Sequence, residues 1–141
     1  MSETYYQLVT PPEWLLAQAK LLPTLKSHRS EVEPFGLGGE MWYSDTSVSE
    51  HTDSQPAGFW TFLWIINNDG EHVLIETTDY ETINTELAVG SLVCFDGTYL
   101  HETKAKLGAH SKRLAFLAWD MPKDEYSLEK FKQELCTQFG I

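Results

Sequence analysis

The sequence has few cysteines and no long apolar run. Its two cysteines, Cys94 and Cys136, form neither a disulfide framework nor a CxxC metal motif, and Cys94 lies in an apolar segment typical of a buried residue. No run approaches the roughly 18 apolar residues that a membrane-spanning helix needs. Residues 1–4 also lack the basic and apolar regions of a signal peptide. We therefore expect a cytoplasmic protein that has no membrane partner.

Basic residues are also scarce, and the chain is strongly acidic. It contains 10 Lys and Arg residues against 21 Asp and Glu residues, which gives a formal net charge of −11. Non-specific binding to nucleic acid depends on neutralising phosphates with Lys and Arg. The charge therefore argues against nucleic acid as a partner.

Aromatic and apolar residues, by contrast, are plentiful. Aromatic side chains make up 13% and hydrophobic residues 42% of the 141 residues. A chain of this length can bury a core as one domain, and aromatic side chains pack well on sheet faces. The sequence shows no internal repeat, low-complexity segment or linker. We therefore expect residues 1–141 to form a single domain rich in β-structure.

The middle of the chain consists of short aromatic or β-branched segments separated by turn residues. The run at 59–66 ends at the turn residues 67–70, and the run at 72–77 follows, which together predict a hairpin. Strands at this spacing, without intervening helices, favour a sandwich or barrel, and a jelly roll is the most economical choice. The predicted strands are 39–43, 48–53, 59–66, 72–77, 82–87, 91–95, 100–104 and 114–119.

Two predicted helices flank this β region. The first, at about residues 12–22, begins with proline and an acidic residue and ends at Pro23. The second, at about residues 127–139, begins at Ser127, a residue that can cap a helix, and is followed by Gly140. We expect both helices to pack against the β core and to cover it.

Three residues form a candidate metal-binding set. His51 and Asp53 are separated by one residue, so on an extended strand both side chains face the same side and can reach one ion. His101 lies at the start of a later predicted strand. Two imidazoles and one carboxylate are the ligand set of non-haem Fe(II) oxygenases, which leaves coordination positions open for a co-substrate and dioxygen.

An arginine near this set suggests an anionic ligand. Arg113 opens the apolar strand that continues to Trp119, and such a position calls for an anionic partner. A guanidinium group binds a carboxylate through two parallel hydrogen bonds, a geometry that lysine cannot copy.

Simpler interpretations of the same residues stay open. His51 and Asp53 could form a polar pair in a surface loop, and His101 could be a turn histidine bonded to the backbone. Arg113 could form a salt bridge with one of the many acids. His110 is a rival third ligand, although its surroundings have the composition of a hairpin turn.

Residues of about 39–120 resemble the catalytic core of the Fe(II)/2-oxoglutarate-dependent dioxygenase superfamily, in particular its prolyl-hydroxylase-like members. The order of the H-x-D pair, the segment at 90–96, the second histidine and the arginine carries this resemblance. It implies a mainly β fold, a double-stranded β-helix with flanking N- and C-terminal helices. It also implies an oxidoreductase that converts 2-oxoglutarate and O2 to succinate and CO2 while it hydroxylates a substrate.

The resemblance also implies roles for individual residues. His51, Asp53 and His101 would bind Fe(II), and Arg113 would bind the distal carboxylate of 2-oxoglutarate.

One position departs from the family pattern. Many members have Ser or Thr two residues beyond the arginine, where this chain has Ala115. Trp64 and Tyr43 are the candidates for lining the co-substrate, Trp64 by its resemblance to an aromatic residue of prolyl-hydroxylase-like members. The simpler interpretation of both is an aromatic residue of the core or of its rim. The substrate, a small molecule or a protein, is not identified by the sequence, and an exposed edge strand could support a homodimer.

Two other functions compete with this one. A cupin-like metal-binding enzyme would bind the metal without using 2-oxoglutarate, and Ala115 keeps that alternative open. A non-catalytic binding module on the same fold would need no metal site at all.

Overall fold

The computed structural model describes residues 5–20, 28–35, 39–44, 48–53, 55, 57–69, 71–76, 82–85, 87–105 and 113–141. At Tyr43 and Arg113 the description covers the backbone alone. Within these ranges, no helix combines the length and the apolar character needed to cross a membrane.

The described residues form ten strands and two helices. The elements are β1 (Tyr5–Leu8), α1 (Glu13–Lys20), β2 (His28–Phe35), β3 (Gly39–Ser44), β4 (Val48–His51), β5 (Phe59–Asp69), β6 (Glu71–Glu76), β7 (Thr82–Thr85), β8 (Ser91–Phe95), β9 (His101–Ala105), β10 (Arg113–Pro122) and α2 (Leu128–Phe139).

The strands form two antiparallel sheets. The larger sheet has the order β1-β8-β5-β10-β3-β2, and the smaller has the order β4-β9-β6-β7. From β3 to β10 the chain passes repeatedly from one sheet to the other, which is the winding of a double-stranded β-helix. The predicted mainly β jelly-roll fold with flanking helices is therefore confirmed.

The predicted hairpin at 59–66 and 72–77 is wrong. β5 lies in the larger sheet and β6 lies in the smaller, where β6 pairs with β7 and β9. The residues predicted as the start of the turn, Asn67 to Asp69, instead extend β5 and pair with the first residues of β10. Long-range pairing thus overrides the local turn composition at this point.

The sequence did not predict β1 and β2. Both are edge strands of the larger sheet, and β2 contains Pro34, a residue that sheets tolerate at edges but that weakens a strand prediction. Homodimer formation through such an edge stays a prediction.

The helices cover one face of the larger sheet, as predicted. Phe131 of α2 stacks on Phe62 of β5 with ring centroids 4.1 Å apart, and Leu15 of α1 is fully buried in the same cluster. We call this group the outer cluster. Its buried members are Val9, Leu15, Ala19, Phe62, Trp64, Ile66, Leu92, Cys94, Ala115, Leu117, Trp119, Phe131 and Leu135.

The opposite face of the larger sheet carries a second, smaller cluster. Its buried members are Ile65, Leu87, Val93, Phe95 and Leu114, and we call it the inner cluster. The Phe95 ring contacts the ring of His101 in the smaller sheet, with centroids 5.0 Å apart. The inner face is therefore the one directed towards the smaller sheet.

Both helices occur close to their predicted bounds. In α1, Glu13 lies in the first turn as predicted, and residues 21 and 22 of the prediction lie outside the described residues. In α2 the Ser127 Oγ accepts a hydrogen bond of 3.1 Å from the Lys130 amide, and Gly140 ends the helix with φ 67°. The predicted N-cap and C-cap are confirmed.

Candidate metal centre

Strand pairing in the smaller sheet brings the two histidines together. His51 ends β4, His101 begins the antiparallel β9, and the two residues lie opposite each other. Their ring centroids are 4.3 Å apart. Asp53 follows His51 by two residues and reaches the same point, so the three residues of the predicted set meet although His101 is distant in sequence.

The distances between these side chains suit a shared metal ion. Asp53 Oδ1 lies 3.5 Å from His51 Nε2 and 3.3 Å from His101 Nε2. The possible ligand atoms of all three residues lie within 4.8 Å of one another. Among the described residues, this is the one place where three His, Cys, Asp or Glu side chains come close enough to hold an ion. The donor set fits the two-histidine, one-carboxylate pattern of ferrous sites.

The set is shielded on one side and open on the other. The His101 side chain is 12% exposed, whereas those of His51 and Asp53 are 40% and 36% exposed. A metal ion bound here would therefore keep a side that small molecules can reach from solvent.

A backbone carbonyl orients the His101 ring. The Nδ1 of His101 lies 2.8 Å from the carbonyl oxygen of Tyr99, and because a carbonyl only accepts, Nδ1 carries the hydrogen in this contact. The neutral ring then presents the Nε2 lone pair to the site, as metal-binding histidines usually do. Burial works against the charged ring, but hydrogen bonds to Asp53 and Tyr99 outweigh it and raise the pKa of His101.

Asp53 is held by the loop that precedes β9. Its backbone amide donates to the carbonyl oxygen of Gly97 at 2.7 Å. A Cβ atom at Gly97 would lie 2.5 Å from Asp53 Oδ2 and 2.7 Å from both Gln55 Oε1 and Thr61 Oγ1. A side chain here would force the Asp53 carboxylate and its neighbours to shift, so glycine leaves the space in which Asp53 is held. The sequence marked Gly97 only as a turn residue.

Sequence reasoning missed a polar group beside Asp53. Thr61 donates to Gln55 Oε1 at 2.9 Å, and its hydroxyl lies 3.3 Å from Asp120 Oδ1. Partial burial and the charge of Asp53 raise the pKa of Asp120, although its contact with Thr61 lowers it. The one available signal was an acid at the end of the apolar β10 segment and a hydroxyl within the aromatic β5 segment.

The structure does not place Trp64 with the three candidate ligands. Trp64 is fully buried in the outer cluster, and its indole Nε1 donates to the Val9 carbonyl oxygen at 2.8 Å. This placement matches the simpler interpretation of Trp64 as a core aromatic, because strand alternation directs Ile65 rather than Trp64 to the inner face. A role in lining the co-substrate stays a prediction. Ala115 also belongs to the outer cluster, so a hydroxyl at that position would not face the interior between the sheets.

Tyr43 and Arg113 lie on neighbouring strands of the larger sheet. Arg113 is opposite Asp69 at the start of β10, and Tyr43 of β3 is opposite Ala115. Their backbones are thus at the same end of the sheet, and their roles towards a co-substrate stay predictions. The rival ligand His110 lies outside the described residues.

The fold is similar to that of several solved proteins, including the following three. A Pseudomonas putida prolyl-4-hydroxylase superposes with a TM-score of 0.60 at 14% identity, covering 86% of this chain and 94% of that one. HygX from Streptomyces hygroscopicus, with nickel and 2-oxoglutarate bound, superposes with a TM-score of 0.58 at 8% identity, covering 86% of this chain and 83% of HygX. SnoN, a non-heme alpha ketoglutarate dependent epimerase from nogalamycin biosynthesis, superposes with a TM-score of 0.57 at 10% identity, covering 86% of this chain and 78% of SnoN.

No protein-family model matches this chain, and no curated protein matches it. At these identities the structural likeness shows the fold, a double-stranded β-helix shared with non-haem iron and 2-oxoglutarate oxygenases. The His51, Asp53 and His101 group fits the metal-binding pattern of that class.

Proposed function

We propose that this protein is an Fe(II)/2-oxoglutarate-dependent dioxygenase that hydroxylates a substrate. The observation that carries the proposal is the convergence of His51, Asp53 and His101 to within 4.8 Å on this fold. Among solved proteins of the same fold, one has nickel and 2-oxoglutarate bound, one is described as a prolyl-4-hydroxylase and one as an epimerase.

The three side chains would hold the metal through Nε2 of each histidine and one Asp53 oxygen. Ferrous iron supplies the activation of O2 that couples oxidation of 2-oxoglutarate to succinate and CO2 with hydroxylation of a C–H bond. The chain's own contribution is to orient the ligands, which the Tyr99 carbonyl and the Gly97 carbonyl do. The exposed side of the site leaves room for co-substrate and substrate.

Arg113 is the proposed anchor for the distal carboxylate of 2-oxoglutarate, with Tyr43 beside it. The support is the order of His51, Asp53, His101 and Arg113 along the chain, which resembles the pattern of the superfamily. The guanidinium group suits a bidentate contact with that carboxylate.

The proposal is tested by titrating the purified protein with Fe(II) and 2-oxoglutarate in the absence of oxygen. The expected result is a visible charge-transfer band in the wild type. The band should be absent in His51→Ala. In Arg113→Met the band should appear only at a 2-oxoglutarate concentration at least about tenfold higher, because each charge-assisted contact contributes about 1.5–3 kcal/mol.

The adjacent basic residue, Lys112, provides a matched control for Arg113. Lys112→Met should leave the 2-oxoglutarate requirement unchanged. If Lys112→Met rather than Arg113→Met raises that requirement, Lys112 is the residue that binds the distal carboxylate. Metal binding without the band would favour the cupin-like enzyme. Absence of metal binding in the wild type would leave a non-catalytic binding module.

A further inference from the structure

A single loop, residues 96–101, positions two of the three candidate ligands. The Gly97 carbonyl accepts from the Asp53 amide at 2.7 Å, and the Tyr99 carbonyl accepts from His101 Nδ1 at 2.8 Å. The relative placement of Asp53 and His101 therefore depends on the backbone conformation of this loop.

Asp96 organises the loop from within. Its Oδ1 accepts hydrogen bonds from the Thr98 amide at 2.9 Å and the Thr98 hydroxyl at 2.7 Å. Its carbonyl accepts from the Tyr99 amide at 3.1 Å. Such local bonds from an aspartate side chain stabilise a turn, and here the turn sets the direction of the Tyr99 carbonyl that contacts His101.

Lys123 connects the same aspartate to the end of β10. Its Nζ lies 2.7 Å from Asp96 Oδ2 and 4.5 Å from the centre of the Trp60 ring. Its backbone amide donates to the Gly58 carbonyl at 2.8 Å. The side chains of Asp96 and Lys123 are 9% and 29% exposed, so the carboxylate is largely shielded from solvent. Loss of Lys123 would leave that charge without its partner.

The electrostatic environment agrees with these contacts. Burial alone would raise the pKa of Asp96, but hydrogen bonds from Lys123 and Thr98 outweigh burial and lower the pKa below its ordinary value. Asp96 is therefore a charged acceptor for both partners at neutral pH.

We propose that Asp96, held by Lys123, is a positioning residue for the candidate metal centre. It acts through the 96–101 loop, which directs the His101 ring and the Asp53 backbone, and it touches neither metal nor substrate. This inference rests on the proposed metal-binding function. A purely structural role would change the free energy of unfolding and leave the His101 ring and the metal affinity of the folded protein unaltered.

The test compares Asp96→Ala, Asp96→Asn and Lys123→Met with the wild type. Two properties are measured in the folded protein. The first is the nitrogen NMR spectrum of the His101 ring without metal, which reports which nitrogen carries the hydrogen. The second is the dissociation constant for Co(II), followed by its visible absorption.

Asp96→Ala should raise the Co(II) dissociation constant by up to about tenfold and weaken the fixed Nδ1–H form of His101. Loss of a group hydrogen-bonded directly to a metal ligand typically changes affinity by about 10–100-fold, and Asp96 acts one contact further from the ligands. Lys123→Met should change both properties in the same direction by a smaller factor. Asp96→Asn should stay close to the wild type in the His101 spectrum, because an amide oxygen still accepts from Thr98.

Lys130→Met is the matched control. Lys130 also lies over an aromatic ring, that of Tyr126 at 4.8 Å, and donates to a backbone carbonyl, that of Glu125. It belongs to α2, and its replacement should change neither property.

Unchanged His101 spectra and Co(II) affinity in folded Asp96→Ala would overturn the inference. If Asp96→Ala does not fold, Lys123→Met decides between the same two outcomes. If the wild type does not bind Co(II), the proposed function fails, and the His101 spectrum of the metal-free variants still decides whether Asp96 positions the ring.

Discussion

The two faces of the larger sheet differ in what their side chains contact. The outer face packs against two helices through a large apolar cluster that includes Trp64 and Phe131. The inner face carries a smaller apolar cluster, and its end near Thr61 adjoins a polar group that contains Asp53 and Asp120. Alternating residues of β5 and β10 serve both faces.

This difference indicates that the outer face mainly stabilises the fold, whereas one end of the inner face supports the candidate metal centre. Outer-face residues bury apolar area against helices, which stabilises the fold without presenting groups to a ligand. Inner-face residues at the end of the sheet contact the loop that holds the candidate ligands. Substitutions on the two faces should therefore affect different measurements.

The largest expected effect on stability is that of Phe131→Ala. Phe131 is fully buried, and it contacts Phe62 and Trp119 with ring centroids 4.1 and 5.1 Å away. Removing the ring should lower the free energy of unfolding by about 3–5 kcal/mol, measured by urea denaturation. Co(II) affinity of the folded protein should stay unchanged. Gln138→Ala, at an exposed position of the same helix, should change the free energy of unfolding little. An equal loss of stability in both variants, or a loss of Co(II) affinity in folded Phe131→Ala, would contradict the separate roles of the two faces.

Gly97→Ala should produce the opposite pattern. The added Cβ would lie 2.5 Å from Asp53 Oδ2, so the carboxylate must move. We expect the Co(II) dissociation constant to rise at least about tenfold, which corresponds to about 1.4 kcal/mol. Gly58→Ala is the comparison, because Gly58 has φ 89° and nothing within 4 Å of an added Cβ. That variant should lose stability and keep its metal affinity; a normal affinity in Gly97→Ala would contradict the prediction.

Trp64→Phe tests the assignment of Trp64 to the outer face. It removes the hydrogen bond from the indole to the Val9 carbonyl. The free energy of unfolding should fall by about 1–3 kcal/mol, because a buried acceptor loses its partner. The anaerobic 2-oxoglutarate titration should match that of the wild type. If Trp64→Phe instead requires about tenfold more 2-oxoglutarate than the wild type at unchanged stability, Trp64 contacts the co-substrate.

The smallest expected effect concerns pH. Because the pKa of Asp96 is lowered in the folded protein, its charge stabilises the fold above the ordinary value of 3.8, and this contribution is lost as the pH falls through the lowered value. The wild type should therefore exceed Asp96→Asn in stability by about 1 kcal/mol at pH 7. The difference should narrow only below about 3.8, as measured by urea denaturation across pH; a constant difference would contradict the assigned charge.

Several features were predictable because their causes are local. The caps at Ser127 and Gly140 depend on hydrogen bonds within one helix. The two-residue spacing of His51 and Asp53 follows from the period of an extended strand, and the structure brings both to His101. Eight of the ten strands of the described residues, β3 to β10, are predictable from their composition and the turn residues between them.

The faces of β5 were not predictable from its sequence. Phe62, Trp64 and Ile66 enter the outer cluster, whereas Ile65 enters the inner one. Since both faces are buried, both sets are apolar and the alternation of polar and apolar residues that identifies a face is absent. The pairing of β5 with β10 rather than β6 is likewise a contact between distant segments.

By itself the sequence determined the helices with their caps, the existence of most strands, and a histidine and an aspartate on one side of an extended segment. Only the tertiary structure decided which cluster Trp64 joins, that a side chain at position 97 would meet the Asp53 carboxylate, and that Asp96 pairs with Lys123. The physical reason is that these properties depend on contacts between segments far apart in the chain, which local propensity and spacing do not specify.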